Sequence, residues 1–383
     1  MMNRKLFATC LGAVIVTSML NLGAAHEIHY NRNTILVGSL PDDISTFHAL
    51  IVGISDYNGS EVDLPASGPR AQAERFSETL CNHGWSENNI HLLVDDEATR
   101  DNILAELDWL SEQDGTVLFF FEGHGTIVKD LDDDEKGLDN KDEAIVPWEA
   151  TDNSLIIDDE LKVIVDSFKA EKIVLIFSSC FSGGMNDDTD DEDHNDQKTL
   201  SLLKLSERFP ISKTLRYFLI FMNILHKNPI VSTLASSNDK EFEELKIPME
   251  ELQANNRIII TASQEYLTAA SVSFFGEPMA MWMTVALDGG KDKNSSDFNR
   301  DNFISAEEAF RFTRPRAVLE MLIAEGAPVV MITIAKEWVR GEITTAQAIL
   351  FLLYMGAAYS IVTPIPQIYD GNIDEDTILT YVG

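Results

Sequence analysis

Short apolar runs decide what this chain can fold into: Ala49–Ile54, Ile90–Val94, Thr116–Phe121 and Ile173–Phe177. Each is too short for a core helix and is bounded by turn residues, so each reads as a buried strand. Helical patterns lie between them. Ser67-Gly68-Pro69 opens one helix, with proline in its first turn. Ala73, Phe76 and Leu80 give it an apolar face, and Gly84 stops it. Thr99–Leu110 is a second helix, capped by Thr99, and Asp158–Phe168 a third. Strands alternating with helices imply an α/β fold with a mostly parallel sheet covered on both faces. Arg257–Ser263 resumes the sheet as a fifth strand.

The remainder is less regular. The first residues carry Arg4 and Lys5, then an apolar run to about Leu22, then Gly23-Ala24-Ala25. Residues 1–25 therefore read as a secretory signal peptide, with an uncleaved membrane anchor as the rival. Residues 26–46 are a lead-in. Residues 47–184 hold the regular α/β pattern, 185–256 an acidic and helical insertion, 257–313 the return of the sheet, and 314–383 a helical C-terminal segment. Arg314-Pro315 should break the helix that begins at Ala306; Ala317–Ile323, Val329–Trp338 and Thr345–Ile361 are further helices. Ala346–Val362 is apolar enough to raise a membrane question, but it is short of the roughly 20 residues a span needs. A buried helix is the preferred reading, with membrane insertion as the alternative.

A formal net charge of −34 argues against nucleic acid and anionic membrane surfaces as partners. It favours cations and basic substrates. The acid concentrates in Asp130–Glu143 and Asp187–Asp196, each readable as a solvated loop. With the leader removed, only Cys81 and Cys180 remain of the three cysteines. They could pair in an exported protein, yet nothing local brings them together. No C-x-x-C pair marks a structural zinc site.

Two strand ends carry the chemistry. The run Thr116–Phe121 leads into Glu122-Gly123-His124-Gly125, and Ile173–Phe177 into Ser178-Ser179-Cys180-Phe181-Ser182-Gly183-Gly184. Open α/β sheets place reactive groups at the carboxyl ends of their strands. Cys180 as thiolate would attack a carbonyl carbon, and His124 would protonate the leaving amine and then activate water. Backbone N–H groups of Cys180 and Gly125 would bind the oxyanion.

The stretches HALIVGISDY, FFFEGHG, DEAIVPW and IVLIFSSCFSGG together resemble the caspase-like α/β/α sandwich of clan CD cysteine peptidases, and the metacaspases in particular. His before Cys, at this separation, suits the caspase type. RIIITASQ and PIPQIYDG resemble the family's small-subunit stretches. The resemblance implies a cysteine endopeptidase with His124 and Cys180 as catalytic dyad and Gly125 in the oxyanion hole. It implies protein or peptide substrates. Metacaspases cut after Arg or Lys, using two pocket aspartates. Here those positions hold Arg70 and Ser178. The expectation is that P1, the residue on the acyl side of the cleaved bond, is not basic, with Arg70 pairing an acidic or polar side chain. The family's FSGHG is FEGHG here, so Glu122 either tunes His124 or faces solvent. A weakly active scaffold and a transpeptidase on the same fold are the other readings.

Asp297–Glu308 fits an EF-hand calcium loop. Asp297, Asn299 and Asp301 take positions 1, 3 and 5, Phe303 offers its carbonyl, Ser305 its hydroxyl or a bridging water, and Glu308 a bidentate carboxylate. Asn302 stands where glycine is usual, and tolerates the left-handed turn better than most residues. Many metacaspases need calcium and use aspartates near Asp130–Glu143, which makes that acidic run a second calcium candidate. Together these features set the expectation of an exported or cell-surface enzyme, with Ca²⁺ as cofactor.

Overall fold

A computed structural model describes residues 46–59, 62–65, 68–129, 141–179, 252–262, 278–290, 295–324, 327–341, 343–345, 348, 366–371 and 376–382. The leader, the acidic run 130–140, Cys180, the 185–251 stretch and most of 346–365 lie outside them. Among the described residues no helix is long and apolar enough to cross a membrane.

The chain divides into two compact units. One comprises Ile28–Gly184, Leu245–Val318 and Pro364–Gly383. Its centre is a six-stranded sheet of β1 (Phe47–Gly53), β2 (Ile90–Val94), β3 (Thr116–Glu122), β7 (Lys172–Ser178), β8 (Arg257–Thr261) and β10 (Gln367–Asp370). The order is β10-β8-β7-β3-β1-β2. All neighbours run parallel except β10, which lies antiparallel on β8. The expected strands therefore form as read, and in parallel.

Helices cover both faces. Helix α1 (Pro69–Asn82) has proline at its start and Gly84, at φ 100°, just past its end. Ala73, Phe76 and Leu80 pack with Ile51, Phe120 and Ile176 in the larger core. Phe76 stacks on Phe120 at 4.5 Å between ring centroids. Helix α2 (Arg100–Ser111) is capped by the Thr99 hydroxyl, which accepts from the Asn102 N–H, a contact worth about 1 kcal/mol. It contacts β1, and its buried Ile103, Leu107 and Leu110 stand outside the α1 core, so it covers the other face with α3 (Asp158–Val165). Helix α4 (Pro278–Leu287) and the start of α5 (Ala306–Ala324) return to the α1 side.

Three differences from the sequence reading matter. A small antiparallel sheet, β4 (Gly125–Lys129), β5 (Lys141–Ile145) and β6 (Ile156–Ile157), follows directly on His124. Its central strand contains Asp142 and Glu143, both buried, so the end of the supposed acidic loop is sheet. Helix α5 runs through Pro315 instead of breaking there. The Arg316 guanidinium donates to the Phe312 carbonyl at 2.6 Å, supplying a bond beside the gap that a prolyl nitrogen leaves. The last stretch is not all helical: β10 closes one sheet edge, and β11 (Ile378–Tyr381) pairs antiparallel with β9 (Phe303–Ser305).

The other unit comprises Met1–Glu27, Met185–Glu244 and Leu319–Thr363. Its described residues are helical, chiefly α6 (Ala327–Arg340), where the Trp338 indole donates to the Thr345 hydroxyl at 3.1 Å.

Candidate active site

The sheet order fixes where a site belongs. From β1 the chain goes outward to β2 and then returns to β3 on β1's other side. The carboxyl ends of β1 and β3 thus flank a topological switch point, where the crossovers diverge and leave a crevice. The loop after β1 and the Glu122-Gly123-His124 turn after β3 meet there.

His124 is held at three points. Its backbone N–H donates to the Tyr57 hydroxyl at 2.7 Å. Its carbonyl accepts from Val146 N–H at 3.0 Å. Its Nε2 lies 2.8 Å from the Val62 carbonyl. A carbonyl only accepts, so Nε2 carries the proton and Nδ1 keeps the lone pair. The imidazole and phenol rings are 5.0 Å apart. Burial lowers the His124 pKa, and the Val62 carbonyl opposes that in part by favouring the protonated ring. The Tyr57 backbone is itself anchored, its N–H donating to Asp63 Oδ1 at 3.0 Å.

Glycine at 123 is required by this packing. A Cβ there would fall 2.6 Å from the Tyr57 hydroxyl and 3.3 Å from Phe121 Cζ. Gly125 is paired with Ile145 across β4 and β5. Hydrogen-bonded and non-bonded pairs alternate along an antiparallel ladder. The bond from Val146 to His124 makes 124–146 a bonded pair, so 125–145 is the non-bonded one. The Gly125 N–H therefore turns away from β5, the condition for an oxyanion donor.

Cys180 lies outside the described residues. The strand leading to it is in view: β7 pairs with β3 so that Ser178 stands opposite Glu122. His124 follows Glu122 by two residues, and Cys180 follows Ser178 by the same interval. Glu122 does not face solvent; it is 0% exposed, and Ser178 beside it is also buried.

Arg70, in the first turn of α1, is not a bare cation. Its Nη1 donates to Asp95 Oδ2 at 2.8 Å and its Nε to Glu74 at 3.0 Å, while its side chain is 48% exposed. Asp95 also accepts from the N–H groups of Ser55 and Asp56 at 2.8 and 3.0 Å. An acidic P1 would compete with two carboxylates already in place. Sequence reasoning missed Tyr57, Val62 and Asp95. Tyr57 ends the stretch HALIVGISDY, but Val62 acts through its carbonyl and leaves no side-chain signal.

The calcium-type loop has the expected backbone. Asn302 adopts φ 70°, the left-handed turn where glycine is usual, and Arg300 φ 66°. Asp297 Oδ1 accepts from Arg300 and Asp301 N–H at 2.6 and 3.2 Å, and Oδ2 from Asn302 N–H at 3.0 Å. Phe303 N–H donates to Asp301 at 2.8 Å, and the Ser305 hydroxyl accepts from Glu308 N–H at 3.1 Å. Asn299 donates its side-chain amide to Asp301 at 3.0 Å. Glu308 Oε1 accepts from Phe298 and Asn299 N–H at 2.8 and 3.1 Å. Burial pushes Glu308 up to about 7, and its buried neighbour Glu307 up to about 8. Among the described residues no His, Cys, Asp or Glu cluster is arranged as a metal site. The oxygen donors fit calcium in kind, but here they cap the loop's own N–H groups.

Residues 48–189 match the family model of the metacaspase, peptidase C14 domain. That segment is similar to a metacaspase-type domain. It contains the His124 turn, Gly125, Ser178 and Cys180. Curated relatives agree. Metacaspase-1 of Plasmodium falciparum is 36% identical over 153 residues, covering 36% of this chain and 24% of that protein. Metacaspase-1 of Ajellomyces capsulatus is 33% identical over 151 residues, 36% of this chain and 41% of the relative. Metacaspase-1 of Saccharomyces cerevisiae (strain ATCC 204508 / S288c) is 32% identical over 151 residues, 36% and 34% respectively. The chain thus spans between a quarter and two-fifths of these relatives. A crystal structure of a Geobacter sulfurreducens protein aligns at a TM-score of 0.40 and 15% identity, covering 70% of this chain and 90% of that one. The match covers the segment that holds His124 and Cys180 and ends at residue 189.

Proposed function

We propose that this chain is a cysteine peptidase that hydrolyses peptide bonds in protein or peptide substrates. Cys180 is the nucleophile, His124 moves the proton, and the Gly125 N–H helps bind the oxyanion. The observation that carries this reading is the clamp on His124. Its Nε2–H is committed to the Val62 carbonyl, which leaves Nδ1 as the base, at the switch point of the sheet. The lowered pKa keeps the ring neutral near pH 7, the form that takes a thiol proton.

The test is a peptide-library assay of the native protein beside Cys180→Ala. Turnover that vanishes in the variant supports the reading; equal turnover in both removes the nucleophile. Adding an amine separates hydrolysis from transpeptidation, because a transpeptidase would give amide product. A protein that binds such peptides without turning them over would instead be a scaffold.

Calcium is the proposed cofactor, held by Asp297, Asn299, Asp301, the Phe303 carbonyl, Ser305 and Glu308. The left-handed Asn302 and the inward carboxylates support it. The ion would neutralise carboxylates that burial now disfavours. Calorimetric titration with Ca²⁺ that shows no heat and no rise in melting temperature would reject it. Export is proposed from residues 1–25. Amino-terminal sequencing of the protein recovered outside the cell should begin at His26.

A further inference from the structure

Three consecutive residues of helix α5, Thr313, Arg314 and Pro315, each work against the stability of the turn they share. Thr313 is 0% exposed, and its hydroxyl has no hydrogen-bond partner. A hydroxyl taken from water without a partner destabilises a fold. Arg314 is half-buried. Among the described residues no carboxylate or carbonyl meets its guanidinium, which lies over the Phe310 ring at 5.9 Å from the centroid, near the limit of a cation–π contact. Burial lowers its pKa, with no acidic group to oppose the shift. Pro315 removes a helical N–H and disfavours helical geometry at the residue before it, which is Arg314.

Want of carboxylates is not the cause. The chain carries 63 acidic side chains against 29 lysines and arginines. Arg100 and Arg257 are also drawn in from solvent, and each holds a carboxylate, Glu160 at 2.6 Å and Asp166 at 2.7 Å. Arg316, two residues on, donates to the Phe312 carbonyl at 2.6 Å and lies over the Phe312 ring at 3.5 Å. Arg314 has neither kind of bond. A cation withdrawn from water and left unpaired weakens the fold that holds it. The planar fork of a guanidinium matches one class of ligand, an anion that presents two oxygens side by side.

We propose that Arg314 anchors an oxyanion-binding site on α5, with the Thr313 hydroxyl as a second donor beside it. The ligand is free phosphate or the carboxylate of an acidic peptide, both of which present paired oxygens. The site stands on a different element from the His124 turn and holds whether or not the chain is a peptidase.

The test is thermal unfolding of the full chain without ligand, with inorganic phosphate, and with a short peptide rich in Asp and Glu. The native protein is compared with Arg314→Met, Arg314→Lys and Thr313→Val. The native melting temperature should rise with phosphate or with the peptide, and which of the two raises it identifies the source of the anion. Arg314→Met keeps an aliphatic stem against Phe310 and discards the charge. Without ligand it should melt about 2–4 °C above the native protein, a gain that a structural arginine would not give, and its response to ligand should vanish. Arg314→Lys keeps the charge and loses the fork, so calorimetric titration should show affinity down about tenfold, as for one charge-assisted hydrogen bond. Thr313→Val should also weaken binding, and unchanged affinity there would overturn the second donor. No native response to either ligand, a response that survives in Arg314→Met, or a ligand-free Arg314→Met that melts below the native protein would each overturn the site.

Discussion

The His124 turn and the Asp297–Glu308 loop are built in opposite senses. At His124 the surroundings hold one residue: the Tyr57 hydroxyl and Val146 N–H fix its main chain, and the Val62 carbonyl fixes its imidazole. In the loop, side chains hold the backbone: Asp297 and Glu308 between them cap N–H groups from Phe298 to Asn302. Fixed main-chain geometry suits the proton-moving role proposed for His124, since such a group must not shift during turnover. A ligand loop gains from carboxylates that can exchange an N–H for an ion. The difference separates a site whose geometry is set by folding from one whose carboxylates remain to be claimed.

The contrast can be broken from either side. The largest effect is expected for Gly123→Ala. Its Cβ would collide with the Tyr57 hydroxyl at 2.6 Å and displace the turn. A misplacement of this order costs roughly 100-fold in kcat. Peptide kinetics should show that loss while the calcium-induced rise in melting temperature stays intact. Asp297→Ala comes next. Three N–H groups lose their acceptor. Urea unfolding in chelator should register a loss of about 2–3 kcal/mol, and the calcium response should disappear. If Asp297→Ala instead lowered activity in chelator as much as Gly123→Ala, the two regions would not be separable.

Acid should act on the turn more gently. The His124 pKa is depressed by burial, so the unfolded chain binds the proton more readily than the folded one. The stability this neutral ring contributes is present above about pH 6.5 and is lost as pH falls through the folded pKa. Melting temperatures from pH 7.5 downward should decline less steeply in His124→Gln. The smallest change is Asn302→Gly, which relieves φ 70° at a few tenths of a kcal/mol in the loop's favour.

Much of the frame was legible because periodicity reports burial directly. The runs at Ala49, Ile90, Thr116 and Ile173, the Thr99 cap and the Pro69 start all follow from local rules. Pairing does not. That Ser178 stands beside Glu122 is a matter of register between strands joined by a long crossover, which no local pattern encodes. Strand β5 was hidden because Asp142 and Glu143 look like solvated acid, yet both are buried in the sheet beside His124. Helix α5 passes Pro315, with the Arg316 guanidinium donating to the Phe312 carbonyl in the adjacent turn. The role of the loop after β1 follows only from where its Val62 carbonyl lands, at His124 Nε2.

Strands β10 and β11 carry one more consequence. The Trp85 indole donates to the Leu379 carbonyl at 2.7 Å, Val382 N–H to the Asn302 carbonyl at 2.8 Å, and β10 covers the edge of β8. Early and late parts of the domain are thus stitched together by these two strands. Without them, β8 presents an open edge and the Asn302 turn lacks its partner strand. A chain cut before Gln367 would be an aggregation-prone species with the β8 edge uncovered.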